Sequence, residues 1–126
     1  MSHEEPGRLL GLHHVQLAMP PDEEQVAIDF YEGVLGLDQV PKPQELADRG
    51  GVWFRSDDLE IHLGVEEGFR PAMKAHPAFL IEDLERIRAR VEMNGYKVID
   101  ADQFSGFHRM HIRDPFGNRL ELIEPE

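Results

Sequence analysis

The residues of this chain with the most chemical reach are its histidines: His3, His13, His14, His62, His76, His108 and His111. There is no cysteine, so thiolate ligands, cysteine nucleophiles and disulfides are all excluded. A metal site here must be built from imidazole nitrogens and carboxylate oxygens. Two or three neutral imidazoles with one carboxylate suit Zn, Ni, Co, Mn or Fe(II), the carboxylate lowering the charge and the imidazoles setting the geometry. His14, His62, His76 and Glu121 are the four residues whose placement in the sequence fits such a set.

That placement follows from strand parity, since alternate side chains of a strand lie on opposite faces. Leu59, Ile61, Leu63 and Val65 alternate with Glu60, His62 and Gly64. Leu120 and Leu122 flank Glu121, Val15 and Leu17 follow His14, and Phe79 and Ile81 follow His76. If the apolar sets face helices, His14, His62, His76 and Glu121 all lie on the face that helices leave open. His13 has the opposite parity to His14, and it is read with His3 as a surface residue. By the same rule Trp53, Arg55, Phe107, Arg109, His111 and Arg113 point into the cavity, where Arg55, Arg109 and His111 would hold an anionic or carbonyl-bearing substrate. Trp53 and Phe107 would line or fill it. Arg70 and Lys74 are weaker candidates for the same role.

The elements that position these residues form a weak internal repeat. In the first half a strand at 12–19 is stopped by Pro20-Pro21. Asp22 and Gln25 suggest a capping box for a helix with Val26, Phe30 and Val34 on one face, ended by Gly36. A short strand at 37–40, a loop or helical turn at 43–48 and strands at 51–55 and 59–65 follow. In the second half a strand at 76–81 leads to Asp83 as N-cap. A helix with Leu84, Ile87 and Val91 on one face ends at Asn94-Gly95, and strands are expected at 96–100, 107–113 and 119–123, the last two joined by Asp114-Pro115-Phe116-Gly117-Asn118. Each half reads strand–helix–strand–strand–strand. His14 and His76 open the two modules and His62 and Glu121 lie in their last strands, so a sheet curling around the open face would gather all four. The expected architecture is α+β: two βαβββ modules (about 12–65 and 76–124, connected by 66–75) in one domain spanning 1–126, forming a curled mixed sheet around a metal-binding cup.

Composition narrows the partners. With 40% hydrophobic and 30% charged residues the chain has the balance of a globular domain. A formal net charge of −12 disfavours nucleic acid and anionic membrane surfaces. The polar, acidic start Met1-Ser2-His3-Glu4-Glu5-Pro6 does not read as a signal peptide, and a cytoplasmic location is the expectation.

Leu12-His13-His14-Val15, the run from Ala27 to Leu37 (AIDFYEGVLGL), the strand from His76 into Asp83-Leu84, and the run from Arg113 to Leu122 (RDPFGNRLEL) together resemble the vicinal oxygen chelate superfamily, which includes glyoxalase I, fosfomycin-resistance proteins, methylmalonyl-CoA epimerase, extradiol dioxygenases and bleomycin-resistance proteins. The resemblance runs from about Leu12 to Glu124. It implies one divalent metal ion held by His14, His76 and Glu121. His62, where glyoxalase I has glutamate or glutamine, would be a fourth ligand or a base, which with Glu121 makes the candidate catalytic pair. It implies a small-molecule enzyme that chelates two substrate oxygens for Lewis-acid isomerase or lyase chemistry. An Fe(II) dioxygenase and a non-enzymatic, bleomycin-resistance-like binding protein are the alternatives, and thiol addition to fosfomycin shares the triad. A homodimer is the default expectation, with the site within one chain or shared by two.

Overall fold

The computed structural model describes residues 6–103 and 106–126; His3 lies outside them. Two four-stranded mixed sheets are present, each built from one half of the chain. The first half supplies β1 (Val15–Met19), α1 (Glu24–Tyr31), β2 (Asp38–Val40), a 3₁₀ turn (Gln44–Arg49), β3 (Val52–Ser56) and β4 (Leu59–Val65). The second supplies β5 (Ala78–Leu80), α2 (Leu84–Met93), β6 (Val98–Asp100), β7 (Phe107–Arg113) and β8 (Arg119–Pro125). The sheet orders, β1-β4-β3-β2 and β5-β8-β7-β6, are the same arrangement twice. In each, the first strand runs parallel to the last and the remaining neighbours are antiparallel.

Local chemistry sets the element boundaries. Asp83 caps α2, its carboxylate accepting from the Arg86 backbone N–H, and Gly95 ends that helix at φ +83°. α1 starts differently from the capping box expected of Asp22 and Gln25. Asp22 adopts φ +64° after the two prolines, so no side chain caps the helix, and Gln25 donates to Asp29 instead. The buried stripe of α1 is Ala27, Phe30 and Tyr31, with Val34 just beyond the helix. β5 is shorter than expected. His76 and Pro77 lie before it, but the Pro77 carbonyl accepts from the Glu121 N–H and keeps that stretch on the sheet edge.

The inner faces of both sheets contribute to one core. Val52, Phe54, Ile61 and Leu63 from the first sheet and Met110, Ile112, Leu120 and Leu122 from the second are buried in a single cluster with Phe30, Tyr31 and Val91. At about 1.5–3 kcal/mol for each large apolar side chain, this burial is the main force holding the modules together. A polar staple adds direction. Asp114 accepts from the Tyr31 hydroxyl at 2.8 Å, from the Asn118 side chain at 2.8 Å and from the backbone N–H groups of Phe116 and Asn118. Asn118 in turn donates to the Ala18 carbonyl of β1 at 2.8 Å. The turn between β7 and β8 is thereby tied to α1 and β1 of the other module. Asp114→Ala is expected to lower the unfolding free energy by about 3 kcal/mol, read by urea titration, because it orphans several buried donors at once.

Candidate metal centre

Register places the candidate side chains. His111 on β7 is the direct cross-strand partner of Glu121 on β8, and Glu121 is the partner of Ala78 on β5, two residues after His76. All lie on the face of their sheet opposite Met110, Ile112, Leu120 and Leu122, turned away from the common core. His76 Nε2 is 3.0 Å and His111 Nε2 is 3.5 Å from Glu121 Oε1. Arg109 Nη1 is 3.2 Å from Glu121 Oε2. Among the described residues, His76, His111 and Glu121 form a group of three side chains able to hold a metal ion, their ligand atoms all within 4.8 Å of one another.

The other two candidates sit on the first sheet, again on the outer face. His62 on β4 pairs with Gln16 of β1 and Trp53 of β3. Its ring is stacked between Trp53, with centroids 3.7 Å apart and planes 2° from parallel, and His14, at 4.1 Å and 19°. His62 is buried while His14 is exposed, with its Nδ1 2.9 Å from that of His13. The structure therefore brings His14 together with His62, and His76 together with Glu121; the group around Glu121 includes neither His14 nor His62.

Arg55, also read as cavity-facing, is a half-exposed clamp on Glu60, with Nε and Nη2 3.1 and 3.0 Å from Oε1. Phe107 opens β7 opposite Pro125. Arg109 also donates through Nε to the Asp102 carbonyl.

Sequence reasoning passed over two residues that touch the candidates. Glu60 Oε2 lies 2.6 Å from His62 Nε2, an orienting carboxylate two residues along the same strand face. Arg119 contacts His111 Nδ1 with Nε at 3.1 Å and Nη2 at 2.8 Å. The parity that selected His62 and Glu121 also selects these two, since Glu60 lies two positions from His62 and Arg119 two positions from Glu121.

The electrostatics follow from these contacts. Burial would raise the Glu121 carboxyl, but hydrogen bonding to His76 and Arg109 and the nearby positive charge hold it below the ordinary carboxylate value. Burial pushes the His111 imidazole down, with Arg119 reinforcing the shift, so this ring favours the neutral form. His14 is lowered by burial and by His62 and His13 beside it. Glu60 is lowered by hydrogen bonds from His62 and Arg55.

The donor set fits a divalent cation. His76 Nδ1 is 2.7 Å from the Lys74 carbonyl, which can only accept, so Nδ1 carries a proton. Nε2, the nitrogen left to bind an ion, lies 3.0 Å from Glu121 Oε1. That spacing accommodates either the proton of a hydrogen bond or a metal ion in its place. An imidazole nitrogen and a carboxylate oxygen converging at 3.0 Å are a donor pair that would suit a divalent ion.

A cleft of about 370 Å³ lies beside this centre, where β1 meets the connection and the start of β8; Gln16, Phe69, Arg70, His76 and Arg119 are among its walls. No helix among the described residues is long and apolar enough to cross a membrane.

Comparison with known proteins agrees with this architecture. Residues 11–122 match the model of the Glyoxalase/Bleomycin resistance protein/Dioxygenase superfamily. No curated protein matches the sequence. Among solved structures, a protein from Bacillus anthracis assigned to the glyoxalase family is 39% identical, with 97% of this chain and 100% of that one covered and a TM-score of 0.91. The fosfomycin resistance protein FosX from Listeria monocytogenes is similar at 15% identity, 94% of each chain and a TM-score of 0.71. TnmS3, an antibiotic binding protein from Streptomyces sp. CB03234, is similar at 20% identity, with 94% of this chain and all of that one covered and a TM-score of 0.69. The last two likenesses concern the fold alone.

Proposed function

The chain belongs to the glyoxalase/bleomycin resistance protein/dioxygenase superfamily, and from that premise we propose that it is a metal-dependent enzyme acting on a small oxygen-bearing molecule. The observation that carries this reading is the His76–Glu121 pair, in which a carbonyl-oriented imidazole and a carboxylate present ligand atoms to the same point. His14 completes the 2-His-1-carboxylate set that the family resemblance assigns. When bound, a divalent ion held by this set would supply Lewis-acid stabilisation for negative charge developing on a substrate oxygen.

The chain's own residues divide the remaining work. His62 is the general base. Its Nε2–H is held by Glu60, which leaves Nδ1 as the proton acceptor, and the stacked Trp53 and His14 fix the plane of its ring. Arg109 holds the second oxygen of Glu121 and contributes positive charge beside an anionic substrate. The Trp53–His62–His14 stack gives the substrate an aromatic wall.

The site is assembled from two copies of the chain. His14 and His62 lie on the outer face of one sheet and His76 and Glu121 on the outer face of the other, while the inner faces of both sheets share one core. A cup holding all four residues forms when these faces come together from different chains. Leu9, Leu10, Leu12 and Leu80 are at least 74% exposed, and they supply apolar surface for that pairing.

Metal analysis of protein made without a histidine tag, with Zn, Ni, Co, Mn and Fe(II) each supplied, tests the reading. One ion bound per chain is expected, and a chain left metal-free by all five ends it. If iron is the ion taken up, oxygen consumption with catechols separates the dioxygenase form of the proposal from the isomerase or lyase form.

A further inference from the structure

We infer that the two imidazoles beside Glu121 play opposite parts: His76 turns toward Glu121 the nitrogen that a metal ion can take, whereas His111 is locked with its proton on Nε2 and acts as a fixed hydrogen-bond donor to a substrate oxygen, not as a metal ligand. The His111 tautomer stands on the metal-free geometry alone; the assignment of its acceptor as a substrate oxygen, and of His76 as a ligand, rests on the function proposed above.

The lock on His111 is Arg119. Its guanidinium approaches Nδ1 through both Nε and Nη2, at 3.1 and 2.8 Å. A guanidinium is always charged and only donates, so Nδ1 must keep its lone pair. The single proton of the neutral ring is then on Nε2. That nitrogen is the one buried side-chain polar atom among the described residues with no hydrogen-bond partner, on a side chain only 7% exposed. It lies 3.5 Å from Glu121 Oε1, beyond a good hydrogen bond. A buried donor without a partner is costly to keep, and functional sites are where such groups persist.

For His111 to ligate a metal through Nε2, its proton would have to move to Nδ1, directly against two guanidinium N–H groups. Ligation would therefore break the Arg119 contact. His76 has the reverse arrangement. Its Nδ1 faces the Lys74 carbonyl at 2.7 Å, so Nε2, 3.0 Å from Glu121 Oε1, is the nitrogen that would give up its proton to an ion. Distance alone places the three side chains in one ligand group; their hydrogen-bond partners separate them into two ligands and one donor.

The ligand chemistry follows from this assignment. A small molecule that places a carbonyl or hydroxyl oxygen beside Glu121 meets a neutral imidazole N–H, a donor that gains strength as negative charge develops on that oxygen. Arg119 is the positioning residue for this donor.

Histidine side-chain ¹⁵N–¹H correlation spectra of the full chain test the inference, with signals assigned through His111→Gln and His76→Gln. In the metal-free protein His111 is expected to be protonated on Nε2 and bare on Nδ1, and Arg119→Met is expected to release it into a mixture of tautomers. On adding zinc, the His76 Nε2 resonance is expected to move while His111 keeps its Nε2 proton. His111→Gln is expected to change zinc affinity by less than the about tenfold that loss of even an outer-sphere partner costs. An Nδ1-protonated His111 in the metal-free chain, loss of its Nε2 proton on zinc addition, or abolished zinc binding in a folded His111→Gln protein would each overturn the inference. If no form binds zinc, the metal reading fails, and the metal-free spectrum still decides the tautomer.

Discussion

Glu121→Gln is expected to weaken divalent-metal binding by at least about a hundredfold while leaving the chain folded, because a first-sphere carboxylate carries more of the binding than the outer-sphere partners whose loss costs about 10–100-fold. Glutamine has nearly the shape of glutamate, and its amide oxygen still accepts from Arg109, now 3.2 Å from Glu121 Oε2. Its amide nitrogen can donate to the His76 lone pair, so the substitution leaves few buried polar atoms without partners. What it removes is the negative charge, and with it the attraction for a cation held by neutral imidazoles. Competition with a chromogenic chelator reads the affinity, and urea unfolding of the metal-free protein reads the fold. Glu124→Gln on the same strand is the control. Glu124 accepts from the backbone N–H groups of Asp83 and Leu84 at the start of α2, so its loss alters the helix and spares the metal. Near-wild-type metal affinity in Glu121→Gln would remove this residue from the ligand set. An acid titration adds a second readout with a fixed sign. The folded Glu121 carboxyl titrates below its ordinary value. Its contribution to stability is therefore present above the ordinary carboxylate range and is lost as pH falls through the lower folded value. Glu121→Gln lacks that component, so its stability falls less steeply in acid than that of the parent chain.

The parts of this protein that could be read from its sequence are those governed by local periodicity. Alternation along β4 and β8 placed His62 and Glu121 on the outer faces, and the register agrees, since His111 and Glu121 are cross-strand partners. Capping chemistry located the start of α2 at Asp83. The same chemistry failed for α1, because Asp22, after Pro20-Pro21, takes up a positive φ and the N-cap position falls on Glu23, which makes no side-chain cap. The repeat yielded the order of elements along the chain, but parity within a strand carries no information on how two sheets face each other. Sequence matching therefore gathered His14, His62, His76 and Glu121 into one set of equivalent positions, although the sharing of one core by both inner faces is a tertiary fact. Glu60 and Arg119 show a different limit. Each lies on a face the sequence already marked, but a charged residue on a strand is ordinary until the atom it touches is known. Arg119 matters because its partner atom is Nδ1 of His111, and no sequence pattern specifies a ring nitrogen.

The second large effect concerns two chains at once. His14→Ala and Glu121→Gln are each expected to hold almost no metal alone at a concentration that fills the parent sites, yet a purified heterodimer of the two is expected to hold half the metal of the parent dimer. The reason lies in the twofold exchange of modules. If a site takes His14 from one chain and His76 and Glu121 from its partner, the heterodimer concentrates both substitutions in one site and leaves the other intact. Random reassortment of equal amounts of the two variants makes heterodimers about half of all dimers, so about one site in four should be restored in the unfractionated mixture. A site contained within one chain predicts no recovery in either sample, since every chain then carries its own defect. The exposure of His14, stacked on a buried His62, is what an incomplete half-site would present to a partner. Size-exclusion chromatography with light scattering supplies the companion measurement. A chain that stays monomeric at the concentration where it binds metal would refute the shared site while leaving the Glu121 prediction intact, because the pairing of Glu121 with His76 is made within one chain.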